Sequence, residues 1–305
     1  MSTRKVIITI APTGGFATKA HTPYVPTQPE EIAEDVRRCV EAGASVAALH
    51  ARRPDDEATC DGAIYRRINE LVRARCDVII NNSTGGGVNG DMVSGSDRIT
   101  DVIWSERLKG LDGGADMCTM DAMTFIATAP DGREVVMKTP SSRATALAEL
   151  MRQKGIKPEW EAFSPTHILQ DAARLIAAGY DSAPYFFNLV FGLDTAFQGA
   201  LPYTPKLLQM MIELLPAGAL FNVSTIGPDQ LHAMAHALIL GGHLRVGIED
   251  NPYLSPGVPG TNVQFVERAV RIVRELGLEP ATTAEAREML GLAPGRGGVH
   301  HAAAC

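Results

Sequence analysis

The sequence lacks a long hydrophobic run. Its apolar stretches are short and interrupted, as at the start, where MSTRKVIITI is followed at once by APTGG. A membrane-spanning helix needs about 20 consecutive apolar residues, and a secretory signal needs a longer apolar segment than VIITI. We therefore expect neither a membrane span nor a signal peptide, and we predict a cytoplasmic protein.

Paired cysteines and an excess of positive charge are also missing. The five cysteines are scattered without a C-x-x-C pair, which fits a reduced compartment better than a disulfide framework. Lys and Arg number 28 against 35 Asp and Glu, a net charge of −7. This balance argues against nucleic acid or an anionic membrane as the partner and leaves small molecules, anions included.

What the sequence does contain is an alternation of short β-branched runs with longer helical patterns. Strands are predicted at 5–11, 45–51, 77–83, 116–120, 157–163, 184–192, 219–225 and 244–250. Helices are predicted at 28–43, 62–76, 141–155, 164–179, 204–216, 227–242 and 261–277, with an extra C-terminal helix at 282–292. The pattern favours a (β/α)₈ barrel, and the count of eight strands disfavours the alternative, a doubly wound open sheet. We predict one catalytic domain over 1–293 and a flexible Gly/Ala-rich tail over 294–305.

Polar residues follow the predicted strands, where a barrel places its functional groups. The strand ends carry Thr13, His50, Arg52, Asn82, Ser83, Thr84, Thr119, Asp121, Glu159, Glu161, Asn188, Ser224, Arg245, Glu249 and Asp250. Closure of the barrel brings the eighth strand near the first two, so His50 is expected beside Glu249 and Asp250. A histidine and carboxylates at one barrel mouth indicate either a metal site or a general acid/base pair. For any one of these residues, the alternative to a functional role is a structural one, as a polar group at a strand end whose hydrogen bonds are satisfied within the protein.

Six segments carry a resemblance to a known family. They read TPYVPTQPEEIA, EAGASVAALHAR, IINNSTGGG, DMCTMD, KPEWEAF and GGHLRVGIEDN. With these segments the chain resembles the β-keto acid cleavage enzymes over nearly its whole length. The resemblance implies a zinc-bearing (β/α)₈ barrel that forms a homotetramer. It also implies a retro-Claisen type reaction, in which a small β-keto acid and acetyl-CoA give acetoacetate and a new CoA ester.

Carried over position by position, the resemblance implies roles for single residues. His50 and Glu249 correspond to zinc ligands, Asp250 to the general base, and Arg245 to the residue that holds the substrate carboxylate. The implied substrate-binding residues are Ser83, Thr119 and Arg245. An arginine suits this role because its fork grips a carboxylate with two hydrogen bonds.

The chain departs from the family pattern at three places. Ala48 stands at the position of the first zinc histidine, two residues before His50 on the same face of the strand. The substitutes that we considered for this ligand are His21, Glu161 and water. Phe16 stands where the family's type member has a glutamate, and the loop after the sixth strand reads GLDTAFQGALPY. Because Phe16 and Ala48 make the site more apolar, we predict a substrate tail other than a simple ammonium.

Two other functions remain open at this stage. The altered loop after the sixth strand is compatible with a lyase or aldolase-like enzyme that cleaves a keto acid without CoA. Loss of a zinc ligand at Ala48 is compatible with a non-catalytic barrel that only binds a ligand. Retention of Arg245, Glu249 and Asp250 together favours an enzyme.

Overall fold

Eight parallel strands close into a barrel in chain order, which confirms the predicted fold. The computed structural model describes residues 3–95, 98–129 and 131–294. The barrel strands are β1 (Ile8–Ile10), β2 (Val46–Leu49), β3 (Ile79–Asn82), β4 (Met117–Met120), β5 (Lys157–Ala162), β6 (Tyr185–Phe191), β7 (Ala219–Thr225) and β8 (His243–Val246). The predicted tail lies outside the described residues apart from Pro294, so the domain boundary stays a prediction.

Helices connect the strands around the outside of the barrel. They are α1 (Pro29–Ala42), α2 (Gly62–Arg73), α3 (Trp104–Lys109), α4 (Ser141–Lys154), α5 (Ala173–Ala177), α6 (Pro205–Glu213), α7 (Gln230–Ile239), α8 (Asn262–Glu275) and α9 (Thr283–Met289). A π-helical turn, His167–Ala172, leads into α5. Among the described residues, none of the helices combines the length and the hydrophobicity of a membrane span.

The helix between β3 and β4 was missed by the sequence prediction. Helix α3 has only six residues, which is less than two turns and gives the 3.6-residue period too little length to show. Its Arg107 is buried, against the usual preference of charged residues for the surface. The crossover therefore looked like a loop in the sequence.

Residues on the barrel strands alternate between the helix-facing core and the barrel interior. On β2, Ala47 and Leu49 belong to the apolar core, and Ala48 between them points to the opposite face of the strand. On β5, Trp160 and Ala162 pack outward, which leaves Glu159 inside. Burial of each large side chain contributes about 1.5–3 kcal/mol. The same alternation that builds the core therefore fills the barrel interior with polar groups.

Helix α9 covers the amino-terminal end of the barrel. Its Ala286 and the following Leu290 pack against the first residues of the strands, among them Ile7, Val46 and Phe186. The extra helix predicted from the sequence thus closes one end of the barrel with an apolar layer. The opposite end, where the strands finish, stays open for a site.

A second, four-stranded sheet stands over the open end. Its strands are Val93–Ser94, Ile99–Val102, Phe125–Thr128 and Glu134–Met137. The first two follow β3 and the last two follow β4. None of these four strands was predicted from the sequence. The pairing was not predictable because these strands are short and come from two different loops.

Candidate active site

A cavity of about 550 Å³ opens at the carboxyl end of the barrel. Every one of the eight strands contributes to it, either directly or through the loop that follows. A larger cavity of about 800 Å³ lies at the other end of the barrel, around Arg73, Lys154 and Arg287. Barrel enzymes carry their chemistry at the carboxyl end, so we assign the site to the smaller cavity.

Arg245, on β8, organises the charges of this site. Its Nε and Nη2 donate to Asp250 at 3.1 and 2.9 Å, and Nη2 also donates to Glu249 Oε1 at 2.5 Å. Burial alone would lower the pKa of Arg245, but Asp250 and Glu249 raise it well above its usual value. The guanidinium is therefore permanently charged, and its Nη1 makes no hydrogen bond within the described ranges.

The two carboxylates titrate in opposite directions. Burial would raise the pKa of Glu249, yet Arg245 and then His50 hold it below its usual value. For Asp250 burial prevails and its pKa is raised, although Arg245 opposes the shift. Glu249 lines the cavity, whereas Asp250 lies beneath Arg245 with its side chain fully covered. Asp250 can reach a ligand only when Arg245 moves.

A tight turn places both carboxylates, which corrects the prediction of a strand over 244–250. Strand β8 ends at Val246, and Gly247 follows with φ +144°. A Cβ at Gly247 would overlap the carbonyl oxygen of Ala11. Only glycine fits here without strain, and the turn that it allows directs Glu249 and Asp250 back toward Arg245.

His50 lies beside Glu249, as the sequence predicted. Its Nδ1 is 2.9 Å from the carbonyl oxygen of Gly86, and its Nε2 is 3.4 Å from Glu249 Oε1. A carbonyl oxygen can only accept, so Nδ1 carries the proton in this contact. In the neutral ring Nε2 is then the free nitrogen, and it faces the cavity and Glu249.

The residues present do not complete the zinc site that the resemblance implies. His50 Nε2 and Glu249, whose Oε2 is buried without a hydrogen-bond partner, are suitable donors. Ala48, however, supplies no ligand, and His21 is exposed, with its Nδ1 occupied by Thr18. Within the described ranges no three His, Cys, Asp or Glu side chains converge on one point. A catalytic zinc takes three protein ligands, so two remain where three are needed.

The two predicted hydroxyl residues line the cavity. Ser83 Oγ accepts from the backbone N–H of Gly85 and Gly86 at 3.1 and 3.3 Å, and Thr119 Oγ1 accepts from Thr84 N–H at 2.8 Å. These contacts fix both oxygens, and each hydroxyl keeps its hydrogen to donate. Both groups can therefore donate to a substrate oxygen.

Arg107 supports the same loop and was not singled out in the sequence. Its Nε donates to the Thr84 carbonyl at 3.0 Å and its Nη1 to Thr139 Oγ1 at 2.7 Å. The guanidinium also lies 3.8 Å from Asp121 Oδ2. Arg107 is buried. Through its contacts with Thr84 and Asp121, its guanidinium links the ends of β3 and β4.

Two glutamates of β5 lie inside the barrel below Arg245. Glu159 accepts from Asn81 Nδ2 at 2.5 Å, and Glu161 Oε2 accepts from Asn188 Nδ2 at 2.8 Å. Burial raises the pKa of both carboxyl groups, although Arg245 acts in the opposite direction. Glu161 also borders the cavity, and its Oε1 is buried without a partner. A carboxyl group with an unused oxygen is thus available to a ligand in the cavity.

A closed (β/α)₈ barrel with an arginine, two hydroxyls and several carboxylates at its open end has the architecture of a barrel enzyme. The chain matches the model of the beta-keto acid cleavage enzyme family over residues 5–292, and it belongs to that family. The resemblance found in the sequence is thereby confirmed.

Curated relatives match along nearly their full length. The chain is 35% identical over 290 residues to the 3-keto-5-aminohexanoate cleavage enzyme of Acetoanaerobium sticklandii, covering 94% of this chain and 98% of the relative. It is 32% identical over 301 residues to the 3-dehydrocarnitine:acetyl-CoA trimethylamine transferase of Rhizobium meliloti, covering 95% and 97%. Among solved structures, a ternary complex of ObcA with a C4-CoA adduct and oxalate superposes with a TM-score of 0.73 at 21% identity, covering 90% of this chain and 68% of ObcA.

Proposed function

We propose that this protein cleaves a small β-keto acid with acetyl-CoA, giving acetoacetate and a new CoA ester. The observation that carries the proposal is the buried cluster of Arg245, Glu249 and Asp250 at the end of the barrel, with one guanidinium nitrogen unused. The relatives support the chemistry, since their names describe cleavage of keto acids and transfer to or from acetyl-CoA.

Arg245 is the residue that binds the substrate carboxylate. A guanidinium pairs with a carboxylate through two parallel hydrogen bonds, and Nη1 is free to start such a pair. A bound carboxylate competes with Asp250 and Glu249 for Arg245. Asp250 is then released from one of its two hydrogen bonds and takes a proton from the carbon between the two carbonyl groups of the keto acid.

Ser83 and Thr119 hold the oxygen on which charge develops. Removal of the proton gives an enolate, and hydroxyl donors aimed at that oxygen lower the barrier because their positions are already fixed. Both hydroxyls are fixed by backbone N–H groups, as described above. We therefore assign them to the keto oxygen of the substrate.

The atoms balance over two carbon–carbon steps. The carbanion attacks the thioester carbonyl of acetyl-CoA, a carbon–carbon bond forms, and CoA leaves as the thiolate. The thiolate then attacks the original keto carbonyl, and the older carbon–carbon bond breaks. Its electron pair leaves with the acetoacetate carbanion, which takes back the proton held by Asp250. The remaining acyl group leaves as its CoA ester. Acetyl-CoA is thus a co-substrate, and the CoA group returns in the product.

No step of this scheme passes through zinc, because only His50 and Glu249 of the implied ligands are present. In place of metal ligation, Glu249 accepts a hydrogen bond from Arg245, and its Oε1 lies 3.4 Å from His50 Nε2. We keep two further properties as proposals from the resemblance, a cytoplasmic location and a homotetramer. Light scattering on the purified chain measures the second.

The test is an assay of the full chain with acetyl-CoA and a panel of β-keto acids, following acetoacetate and the new CoA ester. Asp250→Asn should lower kcat about 10²–10⁴-fold, the usual contribution of a general base. Asp229→Asn, at an exposed position on the outer ring, is the matched control and should keep full activity. Product formed without CoA would support the lyase alternative, and binding of keto acids without turnover would support the non-catalytic barrel.

A further inference from the structure

We propose that four phenylalanines above the catalytic residues form a subsite for an uncharged, apolar tail of the β-keto acid, an alkyl or aryl group. The residues are Phe16, Phe125, Phe163 and Phe197, and together they are called the phenylalanine wall. All four line the same cavity as Arg245. This inference depends on the proposed function and specifies its substrate class.

The wall is built from four separate connections between strands and helices. Phe197 is its centre, with ring centroids 4.7 Å from Phe125, 5.8 Å from Phe163 and 6.4 Å from Phe16. Phe163 lies directly after β5 and also contacts Phe125 at 5.9 Å. Aromatic pairs at such distances contribute beyond their buried area, so the loops after β1, β4, β5 and β6 are held together by these rings.

Backbone pairing fixes the central ring. The Thr128 N–H donates to the Ala196 carbonyl at 2.7 Å, and the Gln198 N–H donates to the Ile126 carbonyl at 3.0 Å. Strand Phe125–Thr128 thereby pairs with the loop after β6, the loop in which this chain departs from the family pattern. Through this loop Phe197 lies at the cavity and adds to its apolar surface.

The charges of the cavity are divided between its two halves. Its carboxylates, Asp121, Glu161 and Glu249, all belong to the strand ends and not to the wall. In the half of the cavity formed by the phenylalanine wall, the charged side chain among the described lining residues is that of Arg133. Its Nε is 2.7 Å from Asp131. An ammonium tail would therefore lose water without gaining a carboxylate partner there, which weakens its binding relative to an uncharged tail.

A quaternary ammonium group is also poorly served by this wall. Aromatic cages bind such cations over the faces of their rings. The rings of Phe125 and Phe197 stack on each other with an angle of 18° between their planes, so each covers a face of the other. What remains toward the cavity is a hydrophobic surface, and burial of each CH₂ against it is worth about 0.8 kcal/mol, or about fourfold in kcat/KM.

The first experiment measures kcat/KM for 3-oxo acids of increasing alkyl length, a phenyl-substituted acid, a 5-amino acid and a trimethylammonio acid. The expected result is a rise of about fourfold per added CH₂ until the cavity is filled, with both cationic acids at least tenfold below the uncharged acid of similar size. Preference for either cationic acid would overturn the inference.

The second experiment changes Phe16, which is 55% exposed, so that the fold is not at risk. Phe16→Glu should lower kcat/KM for apolar 3-oxo acids at least tenfold and raise it for the 5-amino-substituted 3-oxo acid. The matched control Phe16→Leu should keep the wild-type order of preference among these substrates. The KM for acetyl-CoA should stay the same in both variants. A change confined to the KM for acetyl-CoA would overturn the inference, because the wall would then bind the CoA arm.

Failure of the proposed function is distinguishable from failure of the subsite. If no acid is turned over, calorimetry with the same keto acids in the absence of acetyl-CoA still measures the subsite. Tighter binding of apolar acids, reversed by Phe16→Glu, would support the wall independently of the reaction. Equal binding of apolar and cationic acids would overturn it.

Discussion

Acid sensitivity of the fold should be traceable to His243, two residues before Arg245 on β8. Its Nδ1 accepts the backbone N–H of Ile7 at 3.1 Å, and the ring is buried. Burial, with a smaller effect of Arg4, lowers the pKa of His243 from 6.5 to about 4. Because Nδ1 must be unprotonated to accept, the folded state prefers the neutral ring and the unfolded state takes up the proton first.

The magnitude and sign follow from this pKa difference. At 1.36 kcal/mol per pH unit, the fall of this pKa from 6.5 to about 4 corresponds to about 3 kcal/mol in full. This stability is present above pH 6.5 and is lost as pH falls toward 4. Between pH 7.5 and 5, where the unfolded chain is protonated and the folded one largely is not, the loss is about 2 kcal/mol.

Urea unfolding of wild type and His243→Asn at pH 7.5 and 5 measures this loss. Asparagine offers Oδ1 to the same N–H but does not titrate, so the variant should lose about 2 kcal/mol less than wild type over this interval. The half-buried His167 and other groups titrate in both proteins, and their effects cancel in the comparison. His232→Asn, at an exposed position, controls for removal of a histidine. Equal pH dependence in wild type and His243→Asn would refute the reasoning.

Two further predictions concern the site itself. Ala48→His supplies the third zinc donor beside His50 and Glu249. The zinc content measured by mass spectrometry should therefore rise from far below one per chain in wild type to about one in the variant. Stoichiometric zinc in wild type would contradict the incomplete ligand set. Gly247→Ala places a Cβ against the Ala11 carbonyl and should cost at least 1–3 kcal/mol in the free energy of unfolding, with activity largely lost. Wild-type melting temperature and activity in that variant would show that the turn adapts.

The barrel was predictable because its signal is repeated eight times. Each strand is a short β-branched run, and seven of the eight strands are followed by a helical segment long enough to show a period. The strand-end residues were predictable for the same reason, since β-strand ends at one face of a barrel must meet. His50 beside Glu249, and Arg245 beside Asp250, follow from that rule and from the resemblance.

Features made by pairs of distant loops were not predictable. The sheet over the open end joins segments that follow β3 and β4, and its strands have only two to four residues. Arg107 gave no signal either, because a lone arginine in a short segment looks solvent-exposed until the buried carbonyls around it are known. In both cases the information lies in tertiary contacts, which sequence periodicity does not record.

The phenylalanine wall shows how this barrel divides its tasks. Arg245 and the hydroxyl residues come from strand ends, whose positions are set by the hydrogen bonds of the sheet. The rings come from loops, where a single residue such as Phe16 can be exchanged with little cost to the fold because it is half exposed. Variants of the wall should therefore change which acid is cleaved while zinc content and the effect of Asp250→Asn stay as they are. If a change at Phe16 altered the rate equally for every acid, the wall would belong to the chemistry, and that division would be wrong.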